Sequence, residues 1–299
     1  MKPDEQWPTV GVFLRLKDYD LAATLNSGQV FRWQKFGDSW VGVVGTYRVR
    51  LRQLTGGFVV ETDSRIKDWD WMPVYLQTNV DLEKILATFP DDEPMNRAVT
   101  ACRGLRVLRQ EPWECLASFI LSATKQIVQI RQIVARLCIC FGEEIVSSTI
   151  NGHSVEMPKD LCHAFPSAEK IAGLTEKDLR DCRMGFRAPN LLAAARQIAE
   201  GKLDLESLRH KSYQEARVEL MKLRGVGEKI ADCVLLFAYG FDSAFPVDVW
   251  VERALRTLYF PRRRVNEDAL LKFAATHFGP HAGYAQQYLF HYMRTCHES

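Results

Sequence analysis

Hydrophobic spacing in this chain changes once, from a period of two to a period of three and four, at about Val80. Before that point Tyr47, Val49 and Leu51 alternate with Arg48, Arg50 and Arg52, as in a strand with one buried and one solvated face. Thr55-Gly56-Gly57 supplies a turn before Phe58-Val59-Val60, so the two runs read as a hairpin within a β-rich stretch from about 10 to 65. Trp33 and Trp40 offer aromatic mass for a small sheet core. The arginine row could touch phosphate, but a solvated strand face is the preferred reading. After Val80, Leu116, Phe119, Ile120, Ala123, Ile127 and Ile130 recur at threes and fours, as one buried helical face does. Thr175 to Asp178 and Ser212 to Glu215 are capping boxes that start further helices. The pattern predicts an α+β chain. An antiparallel β-sheet domain with flanking helices occupies residues 1–100, and a mostly α-helical region follows over 101–299.

Composition narrows the class only modestly. With 299 residues, 47% of them hydrophobic, the chain can bury a sizeable core. No apolar run approaches the roughly 18–20 residues that span a bilayer. The start, Met1-Lys2-Pro3-Asp4-Glu5-Gln6-Trp7-Pro8, lacks the charged-then-apolar pattern of a signal peptide. The expectation is an intracellular protein, nuclear in a eukaryote or in the cytoplasm and nucleoid of a bacterium. A net charge of +2, from 39 basic and 37 acidic side chains, decides nothing about nucleic acid, because basic residues can gather on one face. The eight cysteines lie mostly in apolar stretches and read as buried thiols. Cys138 and Cys140 are the one close pair, too little for a zinc or iron–sulfur site. Arg262-Arg263-Arg264 reads as a plain surface loop.

Residues 212–250 carry the chemistry. A helix begins at Ser212, stops at Arg224-Gly225-Val226-Gly227, and a second begins at about Glu228, giving a helix-hairpin-helix over about 212–240. Two glycines around one apolar residue suit a tight reversal. The second helix then presents free N–H groups where a phosphate fits, although an ordinary helical hairpin needs no such ligand. Lys229 lies in the first turn, where the macrodipole disfavours a cation, and that placement favours the neutral, nucleophilic amine. The helix to Gly240 is about 16 Å long. The return from Phe241 spans roughly 23 Å, enough to bring Asp248 back beside Lys229. Asp248 precedes another helical run, and the N-cap position should keep its carboxylate ionised. Separately, Lys229 is a surface charge and Asp248 a surface cap. Together they read as a pair.

At this point the sequence resembles the helix-hairpin-helix, Gly/Pro-Asp superfamily of DNA glycosylases. Leu223-Arg224-Gly225-Val226-Gly227-Glu228-Lys229 is similar to its hairpin and catalytic lysine, and Pro246-Val247-Asp248 to the segment carrying its catalytic aspartate. Within the superfamily the resemblance is to the 8-oxoguanine DNA glycosylases and covers nearly the whole chain. It includes Ser27 to Trp33, Leu105 to Cys115, Gly185 to Ala188 and Ala282 to Phe290. It implies an N-terminal sheet domain and two helical lobes with double-stranded DNA between them; a monomer is expected because nothing in the chain reads as a heptad seam. It also implies glycosylase action on an oxidised purine, with flipping of the damaged nucleotide, a Lys229 Schiff base and an associated β-elimination lyase step. No metal or organic cofactor is implied, apart from a monovalent cation that related hairpins hold on backbone carbonyls. Gly28 matches the position whose carbonyl accepts the extra N7–H of 8-oxoguanine. Cys233 and Phe290 match the residues that sandwich the base, and Gln286 the one that reads its Watson–Crick edge. Core packing would also account for Cys233 and Phe290.

Gly225, Val226 and Gly227 match the phosphate-binding hairpin. Other DNA-contacting positions depart from the family. Thr124-Lys125-Gln126 stands where asparagines fill the gap, Gln129 where one of two cytosine-reading arginines is expected, and Trp250 where a phosphate-contacting histidine is expected. Arg187 keeps the second arginine, and Phe186 replaces a neighbouring tyrosine while remaining able to wedge between bases. Gln126 or Lys125 could fill the gap, and Arg131 could substitute for Gln129. Two rivals remain: a glycosylase of the same fold for other damaged purines, which Lys229 argues against, and a non-catalytic DNA-binding module, which would need neither Lys229 nor Asp248.

Overall fold

The computed structural model describes residues 10–62, 69–145 and 158–296, so the residues 1–8 read above lie outside them. Five strands form one antiparallel sheet in the order β1-β5-β4-β3-β2: β1 Val10–Arg15, β2 Trp33–Phe36, β3 Ser39–Val44, β4 Tyr47–Leu54 and β5 Gly57–Thr62. The Thr55-Gly56 turn sets the β4–β5 register, with Leu51 opposite Val60 and Arg50 opposite Glu61. Trp33, Trp40, Val49, Leu51 and Phe58 are buried in one core beneath the sheet.

The arginine face is not solvated. Arg48 and Arg50 are buried, at 6% and 9% exposure. The reason is tertiary. A 3₁₀ turn over Lys159–Cys162 places Leu161 against Val41 and Val43 on that face. Arg50 Nε pairs with Glu61 Oε2 at 2.7 Å, so the guanidinium stays satisfied while its stem covers apolar surface.

The helices in chain order are α1 Leu21–Asn26, α2 Trp71–Leu76, α3 Leu82–Leu86, α4 Glu93–Ala101, α5 Pro112–Ser122, α6 Ile127–Phe141 and α7 Ala168–Ala172. They continue as α8 Glu176–Asp181, α9 Ala188–Ala199, α10 Tyr213–Met221, α11 Glu228–Val234, α12 Val249–Ala254, α13 Glu267–His277 and α14 Ala282–Cys296. Thr175 and Ser212 cap α8 and α10 as capping boxes. One large core joins α3 to α14 and also takes in Ala23 and Phe31, whereas α2 packs Met72 and Leu76 into the core beneath the sheet. No helix among the described residues is long and apolar enough to cross a membrane.

The face from Leu116 to Ile130 belongs to two helices rather than one. α5 ends at Ser122, and Thr124 adopts the left-handed conformation at φ +56°. That conformation is unfavourable for a branched residue. Arg187 holds it there, donating to the Ala123 carbonyl and, at 2.6 Å, to Thr124 Oγ1. The apolar spacing persists across the break because both helices pack on the same core.

Candidate active site

The hairpin is held by its own side chains. Asp232 on α11 is buried and accepts from Tyr213 Oη at 2.8 Å and Arg217 Nε at 2.8 Å, both on α10. Gly225 sits at φ +80°, and a Cβ there would overlap the Asn190 side chain, so both torsion and space require glycine. Gly227 differs. It is extended, at φ −96°, and none of the described residues lies within 4 Å of where its Cβ would stand. The protein itself gives no steric reason for glycine at 227.

Lys229 is the second residue of α11 and half-buried. Its Nζ donates to Ser122 Oγ at 3.2 Å and stands over the Phe119 ring, 5.2 Å from its centroid. Ser122 was not singled out from sequence. Its signal was a lone hydroxyl ending the apolar run Phe119-Ile120-Leu121.

α11 continues through a π-helical turn, Leu235–Tyr239, and stops at Gly240, φ +79°. Widened turns release carbonyls from the helix. Here Leu236 O accepts from Arg109 Nη1 at 2.8 Å and Phe237 O from Gln110 N at 2.7 Å. The chain then returns to Asp248, which caps α12 by accepting from Trp250 N at 3.0 Å and Val251 N at 2.9 Å. Those bonds, with Lys229 and Arg294, favour the carboxylate. Burial outweighs them and pushes the Asp248 carboxyl upward from its ordinary value, a pull that capping alone does not include.

Lys229 and Asp248 open onto a cavity of about 1040 Å³ whose wall also includes Gly28, Cys233, Gln286 and Phe290. Gly28 lies at φ +77°, and a Cβ would stand 2.8 Å from Ile127 Cδ1 and 3.1 Å from Phe290 Cε1. Cys233 is buried, and burial pushes its thiol up to about 12, so it presents a neutral sulfur. Gln286 is 4% exposed, and its Oε1 has no hydrogen-bond partner among the described residues. Residues from positions 28 to 290 thus converge on one space.

The cavity rim holds Thr124, Lys125, Gln126 and Trp250. Phe186 projects nearby in sequence to Arg187 and is 59% exposed, while Arg187 is only 2% exposed, turned inward onto the Ala123–Thr124 segment. Gln129 is committed to the start of α6, its Oε1 accepting from Gln126 N at 3.2 Å. Arg131 reaches Asn26 Oδ1 at 3.3 Å. Among the described residues, no cluster of three or more His, Cys, Asp or Glu could hold a metal ion.

A sheet domain leading into a hairpin lysine and a returning helix-cap aspartate, both on one cavity, defines a base-excision DNA glycosylase fold. Residues 12–116 match the model of the 8-oxoguanine DNA glycosylase N-terminal domain, and residues 117–276 match that of the HhH-GPD superfamily of base excision DNA repair proteins. The chain belongs to that superfamily, in its 8-oxoguanine DNA glycosylase branch. A probable N-glycosylase/DNA lyase of Methanothermobacter thermautotrophicus is 32% identical over 227 residues, covering 69% of each chain. The N-glycosylase/DNA lyase of Saccharomyces cerevisiae is 32% identical, covering 90% of this chain and 82% of the yeast protein. The Clostridium acetobutylicum 8-oxoguanine glycosylase/lyase, solved with double-stranded DNA containing cytosine opposite 8-oxoG, superposes with a TM-score of 0.84. It is 30% identical over 95% of this chain and 97% of that one.

Proposed function

We propose that this enzyme excises 8-oxoguanine from duplex DNA, with Lys229 as nucleophile and Asp248 as its carboxylate partner. Its class is that of its family, a base-excision N-glycosylase with associated DNA lyase activity. One observation carries the reading: a single cavity contains both the Lys229–Asp248 pair and a buried Gln286 amide oxygen with no hydrogen-bond partner among the described residues.

The damaged nucleotide leaves the base stack, since its sugar carbon is out of reach within it. Neutral Lys229 Nζ attacks C1′, and the bond from C1′ to the base breaks with its electron pair leaving on the base, which takes up a proton. Asp248 stabilises positive charge developing on the sugar and assists proton movement. Ring opening yields a Schiff base between Nζ and C1′. Loss of a C2′ proton with departure of the 3′ phosphate is the β-elimination. The chain's own groups suffice for these steps. The Leu223 carbonyl accepts from Val226 N at 3.1 Å and keeps a second lone pair, so a monovalent cation would fit at the hairpin in a supporting role.

Gly28 O accepts the N7–H that distinguishes 8-oxoguanine, whereas guanine would bring a lone pair against it. Gln286 pairs with the Watson–Crick edge, and Cys233 and Phe290 flank the ring. Gly225, Val226 and Gly227 take a phosphate through backbone N–H groups, the open side of Gly227 giving it room. Phe186 wedges into the duplex, with Thr124, Lys125, Gln126 and Trp250 along the gap. The enzyme acts as a monomer wherever the cell keeps its DNA.

Opposite-base discrimination is weak, because Gln129 is engaged in the α6 cap and Arg187 is turned into the protein. The test is borohydride trapping on duplexes carrying 8-oxoguanine opposite each of the four bases. Covalent adducts of similar yield are expected with all four. An adduct confined to cytosine would overturn the opposite-base reading, and no adduct with any duplex would overturn Lys229 as nucleophile.

A further inference from the structure

We propose that Gln287 is a positioning residue for base recognition, pinning the Ser27–Gly28 peptide so that the Gly28 carbonyl is the acceptor the loop offers to the cavity. This rests on the reading of the cavity as an 8-oxoguanine site.

The loop after α1 is held carbonyl by carbonyl. Thr24 O accepts from Ser27 Oγ at 2.9 Å and Gln29 Nε2 at 3.0 Å. Asn26 O accepts from Arg294 Nη1 at 3.1 Å, Ser27 O from Gln287 Nε2 at 2.7 Å, and Gln29 O from Gln110 Nε2 at 2.7 Å. Gln29 Oε1 in turn accepts from Leu108 N at 2.7 Å. Gly28 O alone in this stretch from Asn26 to Gln29 has no donor among the described residues.

Glycine is the most conformationally permissive residue, and a bare Gly28 would let its carbonyl sample several directions. Discrimination between N7–H and a lone pair needs one direction. The donor on Ser27 O fixes the peptide plane before Gly28, the donor on Gln29 O fixes the plane one residue further on, and the Gly28 carbonyl between them stays free. Gln286 and Gln287 are successive on α14, so their side chains diverge by about 100°. One amide is unpaired at the cavity and the other is committed to the loop.

Gln287 makes one bond to this loop, whereas Gln29 makes several and would disturb folding if replaced. The experiment compares single-turnover excision of 8-oxoguanine with cleavage of a duplex carrying an abasic site, which engages Lys229 but has no base to read. Thermal melts accompany both assays. Gln287→Met, which keeps the volume and removes the donor, is expected to slow 8-oxoguanine excision about tenfold, the effect of one buried hydrogen bond, while abasic cleavage changes little. Compared with wild type at each pH, Gln287→Glu is expected to approach the wild-type excision rate toward low pH, where a protonated carboxyl can donate to Ser27 O, and to fall behind it as that carboxyl ionises. Equal losses on both substrates, or full 8-oxoguanine excision by Gln287→Met, would overturn the proposal. A wild-type protein that cuts the abasic duplex but leaves 8-oxoguanine intact would instead overturn the substrate reading beneath it.

Discussion

The cavity has two walls built in different ways. The catalytic wall is nearly contiguous: Lys229 and Asp248 are 19 positions apart, each at the start of a short helix, joined by one helix and its return. The reading wall is assembled from afar, with Gly28 on the loop after α1 and Gln286 and Phe290 on α14. Helix starts place a side chain by local geometry alone. A loop carbonyl is placed only when other segments hold it. The chemistry should therefore survive damage to the reading wall, but not the reverse.

The largest expected effect tests the catalytic wall. Lys229→Gln removes the nucleophile and should abolish borohydride trapping and slow both 8-oxoguanine excision and abasic cleavage, by a factor on the order of 10⁴. Retained trapping would assign the covalent chemistry elsewhere.

Asp248→Asn comes next, with a loss of about 10²–10³ in excision rate. Asn remains a good N-cap, so α12 should persist by circular dichroism. The sign of the pH effect follows from burial, which raises the Asp248 carboxyl in the fold. The ionised form is the one the chemistry uses, so the rate should fall with acid at a pH above the ordinary carboxylate range. A raised carboxyl costs stability as pH rises through its folded value. Asp248→Asn should therefore be more stable than the wild type near neutrality, with the gain disappearing in acid. A variant less stable at every pH would show that the cap, rather than the charge, dominates.

Gly28→Ala sharpens the comparison from the other side. A positive φ and a methyl 2.8 Å from Ile127 Cδ1 should cost about 1–3 kcal/mol in stability, read as a lower urea midpoint. Excision of 8-oxoguanine should fall well below abasic cleavage. Equal loss of both would break the division between the walls.

The smallest effects separate the hairpin glycines. Gly225→Ala should destabilise the fold by about 1–2 kcal/mol through its positive φ and the Asn190 overlap. Gly227→Ala should move stability by no more than about 0.5 kcal/mol, while weakening DNA binding and flattening its salt dependence. Unchanged DNA affinity in Gly227→Ala would remove the phosphate from the hairpin.

Much of this was legible before any coordinates. The Thr55-Gly56 turn, the two capping boxes and the hairpin with its lysine all follow from short-range pattern, as does the change from strands to helices, although the helices resume at Trp71 rather than Val80. Two readings failed where distant residues intervened, and one pull on a charge was missed. Leu161 covers the arginine face of β4. Arg187 holds Thr124 in a left-handed break between α5 and α6. Burial raises Asp248 although its cap and Lys229 pull the other way. Ser122 beside Lys229, and Gln287 on the Ser27 carbonyl, are contacts across 107 and 260 positions.

Sequence by itself determined the α+β order, the helix-hairpin-helix and the residue types of the Lys229–Asp248 pair, because periodicity, caps and glycine torsions act over a few residues. Tertiary structure alone decided which faces are dry, where the long helical pattern breaks, and that the Gly28 carbonyl and Gln286 amide share a cavity with the nucleophile. Burial and hydrogen-bond partnership are properties of what packs against a residue, and here the partners come from segments as much as 268 positions away.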